Sequence, residues 1–481
     1  MASDLDAQPL LRPSTRQAGT EGTTATVSIS SNARISITSL PHSASDSDSH
    51  EHEDDVDLTY TYAYGPSGLL GLLHNKYALG CALFASIGGW VFGYDQGVIA
   101  NVLVMKEFLL RFPVGAWEKG VLTASLDLGA LVGALLSGLA DHYSRKSAIF
   151  WACIIFIIGT ALQAFALSIF WLVLGRGLAG IGVGALSSLS PLYITEISPP
   201  ELRGSLLALE QAYMEGRASV KDPWLIAELK GWRRLLSTKY RDRTMVGVIV
   251  MVIQQWSGIN ALLYYGPTLL SSFGLGSSNA TLLVAGGVGI VQFLAVFPAI
   301  AGIDHWGRKA LLRGGSIVMG CAHLVIAMVI HEDSDDWAGH RTGAWVAVTC
   351  LYVFTFAYGL SYGPVGWVLP SEVFPTSIRS KGVALSTMSN WTNNFLIGLL
   401  TPGLIELSPA WTFMVFSTAC FLGYLWSTYT VPETAGVSLE EIDKFFRSSV
   451  GKEDAELRGE IERELGLTDV IRRIWEDGRT D

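Results

Sequence analysis

The chain has 481 residues, of which 50% are hydrophobic, only 16% are charged and 51 are glycine. This balance excludes an ordinary soluble globular protein, in which about a quarter of the residues are charged. The net charge of −10 says little about partners, because the excess acid lies in two tails: residues 1–66 carry 10 acids and 3 bases, and residues 432–481 carry 14 acids and 8 bases.

The first segment, residues 1–76, is rich in Ser, Thr, Asp and Glu and contains the run SDSDSHEHEDDVD. A segment of this composition buries too little apolar surface to offset the entropy of folding, so we predict a disordered acidic tail. A short apolar segment with a cleavage site does not precede residue 77, and we expect the first apolar run to direct membrane insertion.

Ten apolar runs follow, each of roughly the 20 residues needed to cross about 30 Å of hydrocarbon. They lie at about 77–102, 120–140, 147–169, 171–193, 245–270, 281–303, 311–330, 344–370, 382–404 and 409–430. The predicted class is therefore an all-α polytopic membrane protein whose surroundings are the lipid bilayer. Lys and Arg number 16 in one set of alternate connections and 4 in the other. This asymmetry places both tails in the cytoplasm.

A compound motif occurs twice along the chain. D-H-aromatic-x-R-K begins at Asp141 and again at Asp304, and each copy is followed, after two apolar runs, by E-x-x-P-x-x-x-R. The double match predicts a duplicated helix bundle. Two more runs follow the second copy, whereas the chain after Arg203 is polar and basic up to residue 244. The first bundle is therefore predicted to be two helices short.

The repeated charges predict an ion-pair latch that is intact only when the cytoplasmic side is closed, because helix ends favour charges of defined sign. Membrane topology alone is the alternative; it explains the bases but not an acid at fixed spacing in both copies. The candidate gating residues are Asp141, Arg145, Glu196, Arg203, Asp304, Arg308, Glu372 and Arg379.

Ionisable residues inside apolar runs are expensive in lipid and are candidates for function. Asp95 and Arg176 lie at depths of about 10 and about 8 Å from the outer ends of their runs, so they can meet. A carboxylate that gains and loses an arginine partner can bind and release a proton. A static buried ion pair is the alternative. For Asp127, a second membrane acid, a structural or modulatory role is favoured.

Amide side chains inside the membrane are candidate ligands for a substrate rich in hydroxyl groups, because an amide donates and accepts hydrogen bonds at once. Gln255 and Asn260 would stand about 140° apart on a regular helix, so both face inward only if the helix breaks near Gly258. Interhelical hydrogen bonding is the alternative. The other membrane amides are Gln254, Gln292, Asn390, Asn393 and Asn394.

The run at 344–370 holds Gly359, Gly363, Pro364, Gly366 and Pro370. Glycine and proline together predict a bend there, with Trp367 in the bend. Two further aromatic residues, Tyr264 and Tyr265, are predicted to close the outer side above a bound substrate. Membership of an aromatic belt at the membrane interface is the alternative for both tyrosines.

The chain resembles the sugar porter branch of the major facilitator superfamily, and its motifs are most similar to those of fungal monosaccharide transporters. The resemblance rests on FGYDQGV at 92–98, GRGLAGIGVG at 175–184, PLYITEISPPELRG at 191–204, QQWSGINALLYYGP at 254–267, GPVGWVLPSEVFP at 363–375, NWTNNF at 390–395 and PETAGVSLEEID at 432–443. It implies two six-helix bundles around a central sugar site that is exposed alternately to either side.

The resemblance also implies roles for individual residues. Asp95 and Arg176 match the proton-coupling pair of the family's symporters. The residues that match its sugar contacts are Gln211, Gln254, Gln255, Asn260, Gln292, Trp367 and Asn394. The match to the family pattern continues through Gln211 and resumes only at the end of the central cytoplasmic loop. The resemblance therefore implies that the rest of helix five, all of helix six and most of that loop are absent.

The predicted organisation follows from this gap. The segments are the tail at 1–76, an N-terminal bundle at 77–211 (helices one to four and the start of five), a loop remnant at 212–244, a C-terminal six-helix bundle at 245–431 and a cytoplasmic tail at 432–481 with an amphipathic helix around 438–475.

The leading hypothesis is a plasma-membrane transporter that imports a monosaccharide with a proton. The alternatives are an uncoupled sugar carrier, and a non-transporting sugar sensor or inactive product, because two helices are missing. An enzyme is not expected, since the chain contains no phosphate-binding glycine loop, metal cluster or nucleophile constellation. The sequence indicates no cofactor and no nucleic-acid partner, and it leaves the oligomeric state open.

Overall fold

The computed structural model describes five strands within residues 12–63, then residues 80, 93, 98–99, 101–138, 145–197, 224–271, 278–333, 337, 340–375, 378–435, 442, 445–446 and 448. The chain divides into two compact units. One comprises residues 1–84, 194–220 and 453–481, and the other comprises residues 85–193 and 221–452.

The strands described in the first unit form an antiparallel sheet in the order β1-β3-β4-β5, with β2 paired to β3. Its strands are β1 Arg12–Pro13, β2 Gln17–Gly19, β3 Gly22–Ser30, β4 Ala33–Ser39 and β5 Leu58–Ala63. Thr, Val and Ile recur along β3 and β4, and β-branched residues favour strands. The prediction of disorder over 1–76 therefore differs from the structure at these strands. The rest of that prediction lies outside the described residues.

The described part of the second unit is helical. Its helices are α1 Lys106–Arg111, α2 Ala116–Ser137, α3 Arg145–Ala164, α4 Ile169–Ile197, α5 Trp224–Leu235, α6 Arg241–Trp256, α7 Ile259–Ser271, α8 Ser278–Trp306, α9 Arg308–Asp333, α10 Arg341–Leu360, α11 Tyr362–Val373, α12 Arg379–Leu407 and α13 Pro409–Thr430.

Seven helical segments among the described residues are long and apolar enough to cross a membrane. They are Ala116–Ser137, Lys146–Ala164, Ile169–Ser190, Arg241–Leu270, Arg308–Asp333, Arg341–Val373 and Pro409–Thr430. The predicted count of ten is thus not confirmed. The apolar part of α8 is shorter, at Gly286–Ile300. Helix α12 has 29 residues but carries many Ser, Thr and Asn side chains. The run at 77–102 lies almost wholly outside the described residues.

Glycines allow α2 and α4 to pack backbone against backbone. A Cβ atom at Gly129 would overlap the carbonyl of Gly177, and one at Gly184 would overlap the carbonyl of Ala130. Small residues at such contacts are typical of membrane helix pairs, which lack a hydrophobic driving force and rely on close packing. This interface fixes the position of α4 and therefore of Arg176.

The C-terminal helices pack around a continuous apolar core that includes Phe354 and Tyr362. Helix α9 lies against α10 and α13, and α6 lies against α11 and α12. Helix α12 also packs along α2, so it joins the two predicted bundles. The short α5 falls within the predicted loop remnant, and its Trp232 and Leu235 pack with Phe374.

The predicted C-terminal tail is not wholly solvated at its start. Ile442 is buried, at 3% exposure, and the guanidinium of Arg243 lies over the ring of Phe446 at 5.0 Å from the ring centroid. Arg243 is itself buried and donates from Nη1 to the Val373 carbonyl at 2.8 Å. The tail therefore begins with a segment held against the ends of α6 and α11. Its acidic sequence contains apolar residues, and these pack against the helices.

Candidate functional site

The predicted break near Gly258 is confirmed. Helix α6 ends at Trp256 and α7 begins at Ile259, and Gly258 between them has φ of 93°. Glycine reaches positive φ without steric cost, and a Cβ atom here would also strike the ring of Phe416. The freed carbonyl of Ser257 is bonded by Nε2 of His323 at 2.9 Å.

This break brings together two predicted sugar ligands. Asn260 Nδ2 donates to Gln255 Oε1 at 2.5 Å, and the two residues are 8% and 3% exposed. The remaining amide donors and acceptors of such a pair can serve the hydroxyl groups of a sugar, which both donate and accept. Their role as ligands stays a prediction.

A second break divides the predicted bent run. Helix α10 ends at Leu360 and α11 begins at Tyr362, with Ser361 between them at φ −116° and ψ −91°. The break therefore precedes Trp367 by six residues, whereas the sequence placed Trp367 in the bend. The difference arises because the glycines and prolines after Ser361 are accommodated within the short helix α11. Trp367 is half-buried and packs against the apolar core.

Gln254 joins the two breaks. Its Nε2 donates to the Tyr362 carbonyl at 2.7 Å, and its Oε1 accepts from Asn390 Nδ2 at 2.6 Å. These contacts match the alternative of interhelical hydrogen bonding for Gln254 and Asn390. Asn393 likewise accepts from Trp256 Nε1 at 2.9 Å. Gln292 lies half-buried in α8, with its backbone beside Gly359.

Asp127 lies at the centre of a buried polar cluster. The hydroxyl of Tyr264 is 3.1 Å from its Oδ1, and Asn394 Nδ2 donates to the same oxygen at 3.1 Å. The sequence identified all three residues but did not predict that they meet. Asn394 is thus engaged by a carboxyl group at the position where the resemblance places a sugar contact.

The two tyrosines are buried inside the protein, at 1% exposure for Tyr264 and 5% for Tyr265. Tyr265 donates to the Gly398 carbonyl at 2.6 Å, and both rings pack with Leu122. Residues of an interfacial belt would contact lipid head groups instead. Closure of the outer side by this pair stays a prediction.

Arg176 is 2% exposed in α4 and donates from Nε to the Leu122 carbonyl at 3.0 Å. Its predicted partner Asp95 and the predicted sugar ligand Gln211 lie outside the described residues. The proton-coupling pair therefore stays a prediction.

The second copy of the repeated motif contains an ion pair between two of the predicted latch residues. Arg308 bonds Glu372 through Nη2 and Oε1 at 2.7 Å and through Nε and Oε2 at 3.1 Å. Arg379 donates from Nε to the Phe374 carbonyl at 3.3 Å. Asp141 and Arg203 lie outside the described residues, and so do the side chains of Arg145, Glu196 and Asp304. The gating role of this set stays a prediction.

Glu433 completes the cluster around Arg308 and was missed from the sequence. Its carboxylate accepts from the backbone N–H groups of Arg308 and Lys309 at 2.9 and 3.1 Å, at the first turn of α9. A carboxylate at a helix N-terminus satisfies free N–H groups and the helix dipole. The available signal was the acid in PETAGV, but nothing local shows which helix it caps.

Comparison with known proteins defines the class. The family model for "Sugar (and other) transporter" matches residues 81–216 and 221–446, and the chain belongs to this family. It is similar to the glucose transporter GlcP of Staphylococcus epidermidis, at 29% identity over 450 residues, covering 78% of this chain and 98% of that protein. It is also similar to the low-affinity glucose transporter HXT3 of Saccharomyces cerevisiae, at 26% identity over 470 residues, covering 77% and 82%.

The fold is that of the major facilitator superfamily. The solved structure of the proton:xylose symporter XylE bound to 6-bromo-6-deoxy-D-glucose matches with a TM-score of 0.60 and 23% identity, over 77% of this chain and 99% of that chain. The chain is therefore an integral membrane protein of a transporter family and not an enzyme.

The relatives are longer than this chain inside the matched region. The alignment with GlcP extends over 450 residues, of which 78% of 481, or about 375, come from this chain. The relative thus has residues within the aligned region that have no counterpart here.

Proposed function

We propose that this protein is a secondary active carrier that imports a monosaccharide together with a proton, by alternating exposure of a central site, across the plasma membrane and with both tails in the cytoplasm. The observation that carries the proposal is the buried amide pair of Gln255 and Asn260 at the break between α6 and α7. Broken helices at mid-membrane are typical of transporter substrate sites.

The contacts sort the predicted sugar ligands into two groups. Gln254 holds the Tyr362 carbonyl and is better explained as a structural residue. Gln255 and Asn260 bond to each other, and breaking that bond leaves both amides free for a ligand. Trp367, half-buried on α11, offers the aromatic face on which the apolar flank of a sugar ring can lie.

Proton coupling is proposed on two grounds. Arg176 is a buried cation in α4, at a depth where Asp95 can meet it. The XylE relative is named a proton symporter. A carboxylate that loses its arginine partner in an apolar site takes up a proton, so its charge can follow the conformational cycle. An uncoupled carrier would need no such titration.

Uptake of labelled glucose and xylose in a cell that lacks its own sugar carriers tests the proposal. We expect uptake by the wild type and a rise in KM of about 10- to 100-fold for Gln255→Ala, because one or two hydrogen bonds to the sugar are lost. Thr418→Ala is the control, since Thr418 is exposed on α13 and bonds to Met414 in its own helix. Equal KM values for Gln255→Ala and the control would refute the assigned site.

Coupling is tested separately with Asp95→Asn. We expect this variant to lose accumulation against a gradient and to retain sugar exchange. Accumulation that still depends on pH in the variant would refute the assignment of proton coupling to Asp95, and a wild type that never accumulates sugar against a gradient would leave the uncoupled carrier.

A non-transporting sugar-binding protein is the second candidate, and the shortfall of aligned residues relative to GlcP favours it. We propose that the shortfall is the rest of helix five, helix six and most of the central loop, which in the family fold form part of one wall of the pathway. Binding of glucose to the purified protein, followed by tryptophan fluorescence, separates the candidates. Binding without any uptake would identify the sensor.

A further inference from the structure

Three buried side chains from the two predicted bundles close a hydrogen-bonded ring, which we call the Asp127 ring. Asp127 on α2 has no exposed surface. The Tyr264 hydroxyl on α7 lies 3.1 and 3.3 Å from its two carboxyl oxygens. Asn394 Nδ2 on α12 lies 3.1 Å from Asp127 Oδ1, and Asn394 Oδ1 lies 3.2 Å from the Tyr264 hydroxyl. Each member therefore contacts the other two.

Counting hydrogens shows that the ring needs one more proton than an ionised Asp127 allows. Three separate two-centre hydrogen bonds require three hydrogens. The Tyr264 hydroxyl brings one and the Asn394 amide directs one into the ring, whereas a carboxylate brings none. A protonated Asp127 brings the third: its O–H donates to Tyr264, Tyr264 donates to Asn394 Oδ1, and Asn394 Nδ2 donates back to Asp127.

The count does not depend on the orientation of the Asn394 amide, whose oxygen and nitrogen are assigned from the hydrogen-bond network. After a flip, Nδ2 donates to Tyr264 and Tyr264 donates to Asp127. Asn394 Oδ1 then faces the carboxyl group and again needs a proton from it. With an ionised Asp127, either orientation leaves two oxygens in contact without a hydrogen, and such contacts are costly in a buried site.

The charged and titratable groups beside the ring, among the described residues, are Arg176 on α4 and Tyr265 on α7. A cation nearby favours a carboxylate. Arg176 directs Nε to the Leu122 carbonyl. The ring and Arg176 therefore act in opposite directions on the protonation of Asp127.

We propose that Asp127 is itself a proton-binding site and that its proton fastens α2 to α7 and α12. The proton comes from water and adds to a carboxyl oxygen, and its release opens the ring. In the closed ring Asn394 is withheld from any ligand. The consequence for sugar binding rests on the proposed function, whereas the switch itself does not.

Two substitutions of Asp127 separate a proton switch from a static contact. Asp127→Asn has the same shape, and its amide both donates and accepts, so it completes the ring without a proton. Asp127→Ala removes one member and breaks the ring. A proton switch predicts opposite behaviour of the two variants. If the ring needs a carboxylate instead, both variants lose it and behave alike.

Thiol labelling next to the two tyrosines reports whether the ring is closed. Ile99, 4% exposed, packs with Tyr264 and Tyr265 and is replaced by cysteine in full-length protein whose five native cysteines are alanine. Leu110→Cys, at a position 85% exposed, gives the reference rate at each pH. The measured quantity is the ratio of the labelling rates at positions 99 and 110 with a water-soluble maleimide, from pH 5 to pH 9.

We expect a low ratio at every pH for Asp127→Asn and a ratio about five-fold higher at every pH for Asp127→Ala, the equivalent of about one hydrogen bond. The wild type should rise from the ratio of the Asn variant toward that of the Ala variant as the pH increases. Tyr264→Phe, which also opens the ring, should match the Ala variant. Equal ratios for the Asn and Ala variants, or a wild-type ratio that does not change with pH, would overturn the proposal.

The labelling result is independent of transport. A protein that fails every uptake assay but shows the Asn and Ala difference has the switch without the proposed function. A protein that takes up sugar while the two variants label equally has the proposed function without the switch. Elution of each variant as a single species in size-exclusion chromatography confirms that the rates refer to folded protein.

Discussion

His323 holds the break between α6 and α7, and its replacement by phenylalanine tests how that break is stabilised. Nε2 donates to the Ser257 carbonyl at 2.9 Å, and both residues are buried, at 1% and 0% exposure. The imidazole also packs on Phe354, at 4.2 Å between ring centroids. Phenylalanine keeps the aromatic packing and removes the donor, so the change isolates the hydrogen bond.

The expected cost follows from the burial of the carbonyl. An acceptor left unsatisfied in a protein interior costs about 1–3 kcal/mol, and interhelical hydrogen bonds in membranes contribute about 0.6–1.7 kcal/mol. We therefore expect His323→Phe to destabilise the protein by about 1–2 kcal/mol, which corresponds to about 5- to 30-fold in the equilibrium between the broken helix and its alternatives.

Thermal unfolding of the purified protein in detergent, together with sugar binding, measures the effect. His331→Phe is the matched control, since His331 is exposed near the end of the same helix. We expect a lower melting temperature and weaker sugar binding for His323→Phe, and a smaller loss for His323→Gln, whose amide can still donate to Ser257. A melting temperature for His323→Phe equal to that of the control would refute the assignment of His323 to the break.

Three further predictions concern packing and charge. Gly184→Ala should prevent recovery of a monodisperse protein in size-exclusion chromatography, because its Cβ would overlap the Ala130 carbonyl, whereas Gly177→Ala, whose Cβ would meet only Ser125 O at 3.7 Å, should be recovered normally. Glu372→Gln should destabilise the protein by about 3 kcal/mol by leaving the largely buried Arg308 without its carboxylate, and a double-mutant cycle with Arg308→Gln should give a coupling energy well above zero. Arg243→Gln should speed tryptic cleavage after Arg447, because it releases Phe446. Arg241→Gln is the control and should leave the cleavage rate unchanged, since the Arg241 side chain is 65% exposed. Equal cleavage rates for the two variants would contradict the contact between Arg243 and Phe446.

The fold class and one of the two breaks followed from the sequence because their signals are local. Runs of apolar residues and paired motifs predicted the helices and the family fold. The spacing of Gln255 and Asn260 predicted a break near Gly258 if both amides face inward, since residues five positions apart stand about 140° apart on a regular helix. Arg308 and Glu372 were both among the predicted latch residues, but the sequence did not show that they pair with each other.

What the sequence did not show are contacts between distant segments. Asp127 and Asn394 are separated by 267 positions and meet only because α12 packs along α2. Gln254 and Gln255 are adjacent and chemically identical, yet their contacts differ. Gln254 bonds the Tyr362 carbonyl beside the break at Ser361, whereas Gln255 bonds Asn260 across the break at Gly258. Sequence periodicity cannot separate two neighbours whose roles depend on which helices surround them.

The two breaks are linked through α6 and are expected to move together. The break after Trp256 is held from α9 by His323, and the break at Ser361 is held from α6 by Gln254. Gln254 lies one turn before Ser257, so any change in the end of α6 shifts the amide that bonds the Tyr362 carbonyl. Loss of the His323 hydrogen bond should therefore also change the surroundings of Trp367 on α11. A change in tryptophan fluorescence in His323→Phe that disappears when Trp367 is replaced by phenylalanine would establish this coupling, and a spectrum identical to that of the wild type would contradict it.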